Sequence, residues 1–339
     1  MKKYFSKTAK IALVLVYLVI FAGAFVRLTG SGMGCPDWPK CFGYYIPPTE
    51  KQELLFTAGK EYNKGQVIIK DETLLVARKD FVAQSKFNTP DWEKYAKHDY
   101  AIFNPLHTWV EYINRLLGAL AGVFCLLTFI FSFSYWKEQR KLIFIAFFIC
   151  LLMGFQAWLG KTVVDSVLSP IKITTHMLAA LLIISFQLYL IHQAQKNKSI
   201  ILFDATFTKI LYLTIVLTII QVLLGTNVRE HVDEISETGA PKIFWLQNPS
   251  LSFYIHRSFS IIVLLANFYL FFRNRKLQLH CKKINWIVFL IFIEILSGIM
   301  MYYLDFPFGT QTIHIVLATL LFGVQFYVIL ENSRKKRII

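Results

Sequence analysis

KITTHMLAALLIISFQLYLIHQA, residues 172–194, and TQTIHIVLATLLFGVQFYVILE, residues 310–331, decide how this chain folds. Each is a nearly uncharged apolar run of about 20 residues, the length a helix needs to cross a hydrocarbon core. Each also opens on threonines and carries one histidine in its first turns. Thr174-Thr175-His176-Met177-Leu178-Ala179-Ala180 aligns with Gln311-Thr312-Ile313-His314-Ile315-Val316-Leu317-Ala318 at an offset of 138, the difference between 314 and 176. Two membrane spans with the same polar residue at the same depth make an internal repeat the first hypothesis.

Six further stretches have the same character, near residues 10–29, 108–135, 141–160, 208–228, 251–273 and 284–304. With 55% hydrophobic and 17% charged residues in 339, the chain departs from soluble, disordered and small disulfide-stapled classes alike. The fold expected is all-α and integral to the membrane, with eight spans. The excess of 36 Lys+Arg over 21 Asp+Glu follows topology and makes no case for nucleic acid. Lys2, Lys3, Lys7 and Lys10 begin the chain. Every second connection repeats the bias, with Lys137, Arg140 and Lys141, then Lys196, Lys198 and Lys209, then Arg273, Arg275, Lys276, Lys282 and Lys283. Arg334, Lys335, Lys336 and Arg337 close it. Both termini are therefore expected in the cytoplasm, and the location expected is a bacterial cytoplasmic (inner) membrane. The first run is long for a cleaved leader and its far end matches a later helix, so it reads as a span.

The intervening connections are poor in basic residues or balanced. Residues 229–250 set Glu230, Asp233, Glu234 and Glu237 against Arg229 and Lys242. The segment 30–107 holds ten acidic and ten basic residues, which suits an extracytoplasmic solvated loop or small cap. It opens with Gly30-Ser31-Gly32-Met33-Gly34-Cys35-Pro36-Asp37-Trp38-Pro39-Lys40-Cys41. These glycines follow a membrane helix and run into prolines, so they read as a tight turn and not a phosphate loop.

Tyr112-Ile113-Asn114-Arg115 reappears as Tyr254-Ile255-His256-Arg257, an offset of 142 between 114 and 256. Phe25-Val26-Arg27 likewise matches Asn227-Val228-Arg229. The reading is two homologous four-helix halves, residues 1–200 and 201–339, in parallel repeat about an axis along the membrane normal. Asn114, His176, His256 and His314 then share one depth, roughly 6 to 10 Å into their helices at 1.5 Å per residue. Two such positions on facing helices are how four-helix bundles build cofactor sites.

Polar groups at membrane depth are costly and usually functional. Two facing imidazoles suit the two axial positions of a haem iron, whereas zinc would want a third or fourth ligand. Arg27, Arg115, Arg229 and Arg257 stand near the same boundary, where their forked donors suit paired propionates. The halves differ. His256 and His314 form a complete pair, while His176 faces Asn114, with Glu111 one turn before Asn114 on the same helix face. Phe253 stands where Glu111 would repeat. One saturated electron-carrying haem and one reactive site follow, with Glu111 as base or charge stabiliser, or else as an ion partner of Arg115 or His107. His107 suits a proton relay and a helix cap equally. Glu294 receives no role, and His98, His192, His231 and His280 are placed in loops or at helix ends. Cys125, Cys150 and Cys281 read as small apolar or reduced thiols. Cys35 and Cys41 can pair as a disulfide on the oxidising side, structural or redox-active.

Together these residues resemble the haem A synthase family of bacterial and mitochondrial membranes. The resemblance spans nearly the whole chain: the eight helices, Val26-Arg27-Leu28-Thr29-Gly30-Ser31-Gly32, the Gly34 to Cys41 turn, Glu111 to Arg115, and the histidines of the fourth, sixth and eighth helices. It implies successive hydroxylation of a haem O ring methyl to the formyl group of haem A for cytochrome oxidase. It further implies haem b on His256 and His314, haem O in the first half, Glu111 as the catalytic carboxylate, and a haem O synthase as neighbour. An electron acceptor is also required, no motif names it, and self-association is left open. The family usually has His where this chain has Asn114, so either His176 alone holds the substrate iron, with Asn114 donating a hydrogen bond, or His107 partly compensates. A bis-His electron-transfer cytochrome and a haem-handling protein without catalysis are the other readings of the same residues.

Overall fold

Eight helices of 20 to 33 residues dominate the computed structural model, which describes residues 1–98, 100–195 and 202–332. They are α1 Lys2–Leu28, α2 Pro105–Ser132, α3 Arg140–Asp165, α4 Pro170–Ala194, α5 Ala205–Glu237, α6 Leu251–Lys276, α7 Ile284–Tyr303 and α8 Thr310–Asn332. Only 17% to 44% of the most hydrophobic window of each helix is buried inside the protein. So much outward-facing Leu, Ile and Phe has no place in water, and lipid is the solvent that tolerates it. The chain is a multi-pass all-α membrane protein. Lys196, Lys198 and Arg334 to Arg337, part of the expected charge bias, lie outside the described residues.

α5 runs nine residues beyond its expected end, through the acidic stretch. Arg229 pairs with Asp233 one turn later at 2.7 Å, so this segment is helix and not a connection. His231 accordingly lies within α5. At the other end Asp204 caps the helix, accepting from the Phe207 amide at 2.6 Å and from Arg273 of α6 at 2.5 and 2.9 Å. Arg273 holds the Asp204 carboxyl below the usual carboxylate range.

The chain divides into two compact units. The larger comprises Met1–Phe21, Ala121–Met153 and Met177–Ile339. In it α5 packs on α6 and α8, and α7 on α6 and α8, around Phe207, Leu270, Ile287 and Val328. A second core joins Phe5 and Ala12 of α1 to Ile149 of α3, Ile184 of α4 and Phe322 of α8. Gly323 matters here, because a Cβ on it would meet the Tyr17 hydroxyl at 2.2 Å. Two polar ties recur deep in this unit. The Gln187 amide contacts Cys125 Sγ at 3.5 Å, and the Gln325 amide donates to Asn267 at 3.1 Å. Offsets of 142 and 138 relate the two ties.

The smaller unit comprises Ala22–Leu120 and Gly154–His176. Its segment between α1 and α2 is more than a loop. Strands β1 Glu61–Tyr62 and β4 Phe81–Val82 pair antiparallel, and β2 Val67–Lys70, β3 Thr73–Ala77 and β5 Trp92–Lys94 form a three-stranded sheet in the order β2-β3-β5. Tyr62, Ile68 and Trp92 are its buried centre. The β2–β3 turn places Asp71 and Glu72 at φ 49° and 55°, the left-handed pair a two-residue hairpin needs.

Candidate functional sites

The Gly34 to Cys41 turn is clasped onto α2. Cys35 and Cys41 are joined by a disulfide and fully buried. Glu111, only 4% exposed, accepts the Cys35 amide at 2.9 Å on one carboxylate oxygen and Arg115 at 2.5 Å on the other. Arg115 also donates to the carbonyls of Asp37, Lys40 and Cys35 at 2.7, 3.0 and 3.1 Å. One planar guanidinium thus gathers three carbonyls and a carboxylate, a task for which its fork is suited and a lysine is not. Asp37 closes the turn from within, accepting the Phe42 and Gly43 amides. Burial raises its carboxyl above the ordinary range against these donors. Gly34 is required for the close approach, since a Cβ there would lie 2.5 Å from the His107 backbone. Thr108 completes the seam by donating to the Gly34 carbonyl at 2.8 Å.

The ion pair between Glu111 and Arg115 is therefore present, and Arg115 faces the turn. The other arginines behave differently. Arg229 of α5 bonds Asp233 and also the side chain of Gln311 on α8. Arg257 is exposed, its guanidinium 5.4 Å from the Tyr254 ring centre and 5.8 Å from that of Phe253. Arg27 sits half-buried at the end of α1.

In the same unit, His176 of α4 is held by Gln156 of α3. The Gln156 amide donates to the His176 carbonyl at 3.0 Å, and its oxygen contacts the ring Nδ1. Gly160, one turn further along α3, leaves the ring its space, for a Cβ there would stand 3.9 Å from Nε2. Asn114 of α2 similarly faces Gly23 of α1, whose Cβ would lie 4.0 Å from its oxygen. That oxygen is buried with no hydrogen-bond partner among the described residues.

The larger unit brings His256 of α6 and His314 of α8 together, their ring centres 6.4 Å apart and 70° inclined. Gln221 of α5 donates to the His256 carbonyl at 3.0 Å and lies 3.5 Å from its Nε2. Gly225 follows one turn later, where a Cβ would press to 3.1 Å from the ring. On α7, Ser297 meets His314 Nδ1 at 2.8 Å and Glu294 meets Nε2 at 3.3 Å. Gly298 gives the ring room, with a Cβ distance of 3.7 Å.

Sequence reasoning missed Gln156, Gln221 and Ser297, and left Glu294 without a role. A signal existed, because the offset of 138 that relates His176 to His314 also relates Gln156 to Glu294 and Gly160 to Gly298. Of the remaining histidines, His192 is buried in the last turn of α4 against Tyr327, and His98 lies 3.2 Å from the Pro36 carbonyl.

The sequence of this chain is similar to those of known proteins. Residues 7–81 and 73–326 match the COX15-CtaA family, described as cytochrome oxidase assembly protein. The chain is 28% identical over 248 residues to the "Heme A synthase" of Shewanella oneidensis, an alignment covering 72% of this chain and 63% of that one. It is 24% identical over 342 residues to the "Heme A synthase" of a Wolbachia pipientis strain from Culex pipiens, covering 92% and 93% of the two chains. That of Bartonella tribocorum is 24% identical over 352 residues, covering 92% and 88%. By the family match, whose residues take in the Glu111 clasp and all three histidines, the chain belongs to the COX15-CtaA family of cytochrome oxidase assembly proteins.

Proposed function

We propose that this chain is an oxidoreductase that converts haem O to haem A, oxidising a ring methyl through hydroxylated intermediates to a formyl group. The observation that carries the reading is the asymmetry of its two sites. One holds a facing imidazole pair, and the other sets a single imidazole and an amide in the unit that also holds a buried, clasped carboxylate.

The imidazole pair fits haem b. Two imidazoles brought together from facing helices, their ring centres 6.4 Å apart, are a donor set that would hold a haem iron. His256 and His314 would hold the iron, and Arg229 and Arg257 would supply donors for its propionates. Haem b, when bound there, carries single electrons.

The substrate haem O is assigned to the half containing His176. His176 is its iron ligand, and Asn114 a hydrogen-bonding neighbour in place of a second ligand. Arg27 stands at the propionate edge, and Arg115 holds the turn that shapes the site. Glu111 is the catalytic carboxylate. Both its oxygens already accept hydrogen bonds, so it acts as a fixed negative charge beside the reacting methyl, oriented by Arg115 and the Cys35 amide. The two halves are homologous four-helix units, residues 1–200 and 201–339, both termini are cytoplasmic, and the sites lie toward the outer face of the inner membrane.

The test is chromatography and mass analysis of haems extracted from membranes of cells making this chain together with a haem O synthase. Haem A or its hydroxylated precursor is expected. Haems B and O alone, from folded protein with a bis-imidazole spectrum, would favour an electron carrier or haem-handling protein. Glu111→Ala should abolish haem A while leaving the haem b spectrum intact, and an unchanged yield would remove Glu111 from catalysis.

A further inference from the structure

Each of the four matched positions is met by the preceding helix in one way. A glycine stands beside the side chain, and the residue four positions before that glycine lies on the same helix face. Gln156 and Gly160 meet His176, Gln221 and Gly225 meet His256, and Glu294 and Gly298 meet His314. At the fourth, Gly23 meets Asn114, and the residue one turn before it is Val19. The helix that has Asn114 in place of an imidazole is thus preceded by one with a valine at the position where the others have Gln or Glu.

An amide or carboxyl turned toward apolar helices and lipid is costly without a partner. These three have found one in common, the histidine of the next helix. The two glutamines each donate to the carbonyl of their histidine at 3.0 Å, while the Gln156 oxygen contacts Nδ1 of His176 and the Gln221 amide nitrogen lies 3.5 Å from Nε2 of His256. Such contacts fix where an imidazole points, His314 being met by Ser297 at Nδ1 and by Glu294 at Nε2, and the partners of a ligand commonly govern how well it holds its metal.

We propose that Gln156, Gln221 and Glu294 are positioning residues that aim His176, His256 and His314, and that Val19 with Asn114 marks the position released from that duty. The glycines set the depth at which each ring lies, and the polar residue one turn earlier sets its direction. For His256 and His314 the assignment rests on the haem b reading above and extends it to residues that need not touch the iron.

The test uses the purified full chain carrying haem b, read by its visible and electron-paramagnetic spectra and by the rate of haem transfer to apomyoglobin. Glu294→Leu should release haem about 10- to 100-fold faster, with part of the haem turning high-spin, and Glu294→Gln should restore wild-type behaviour. A role in packing alone predicts the opposite pattern, because leucine suits the bilayer and would leave the haem undisturbed. Gln221→Leu tests the same rule at His256 should Glu294→Leu not accumulate, and Gln156→Leu should leave the haem b spectrum unchanged. Wild-type release and spectra in both Glu294→Leu and Gln221→Leu would overturn the positioning role alone. A wild-type protein without bis-imidazole haem b would sink the underlying reading as well.

Discussion

Replacing Arg115 by alanine should open the Cys35 to Cys41 turn. The guanidinium joins three backbone carbonyls to Glu111, whose carboxylate is 4% exposed and has the Cys35 amide as its other donor. Removing one partner of such a buried pair costs about 3–5 kcal/mol, chiefly because the stranded charge keeps its desolvation penalty. At about 1.4 kcal/mol per decade, the opened turn becomes about 10²- to 4 × 10³-fold more populated. Both sulfurs are fully buried while the turn is shut, so reduction by dithiothreitol reports that opening. The rate, followed by maleimide mass-tagging in detergent, should rise by that factor in Arg115→Ala. Arg115→Lys should fall between, since an ammonium keeps the charge without the fork. Adding Glu111→Gln should recover part of the loss by removing the stranded charge. A reduction rate in Arg115→Ala within threefold of wild type would refute the clasp.

Gly225→Ala should displace His256, because its Cβ would sit 3.1 Å from the ring, at a cost of about 1–3 kcal/mol and with loss of haem b; Gly298→Ala, at 3.7 Å, should keep its haem, and equal behaviour of the two would contradict the geometry. Gly323→Ala should lower the thermal midpoint through the Tyr17 hydroxyl, and Tyr17→Phe should relieve it; no relief would place the strain elsewhere. The Asp204 carboxyl is lowered by Arg273, so its stabilisation is full above the unfolded carboxylate value of about 3.9 and fades as pH falls below it. Wild type should therefore exceed Asp204→Asn by about 1 kcal/mol at neutral pH, and thermal melts should converge as pH falls through the lowered carboxyl value; a constant gap would exclude the ionised cap.

How much was legible follows from how local each signal is. Lengths and hydropathy of the spans are properties of contiguous residues, and all eight appear as helices. The end of α5 was misplaced because acidic residues were read as a connection, whereas the spacing of Arg229 and Asp233 supports continued helix. The small β unit escaped notice for a similar reason. Its hairpin turns on Asp71-Glu72, without the Asn-Gly or Asp-Gly that marks such turns, and its strands are two to five residues long. Glu111 and the three histidines were visible as ionisable residues within apolar runs, where their cost makes them conspicuous.

By itself the sequence determined the membrane as solvent, the number of spans and the chemistry-bearing residues, since a bilayer imposes its length and polarity on every contiguous run. Only the tertiary structure decided what those residues touch. Arg115 reaches carbonyls 75 to 80 positions away, and Gln156 and Gln221 meet histidines on the next helix in space. Such partners share no local pattern with what they bind. Their pairing is fixed by which helix faces pack together, and glycines such as Gly160 and Gly225 set how closely those faces meet.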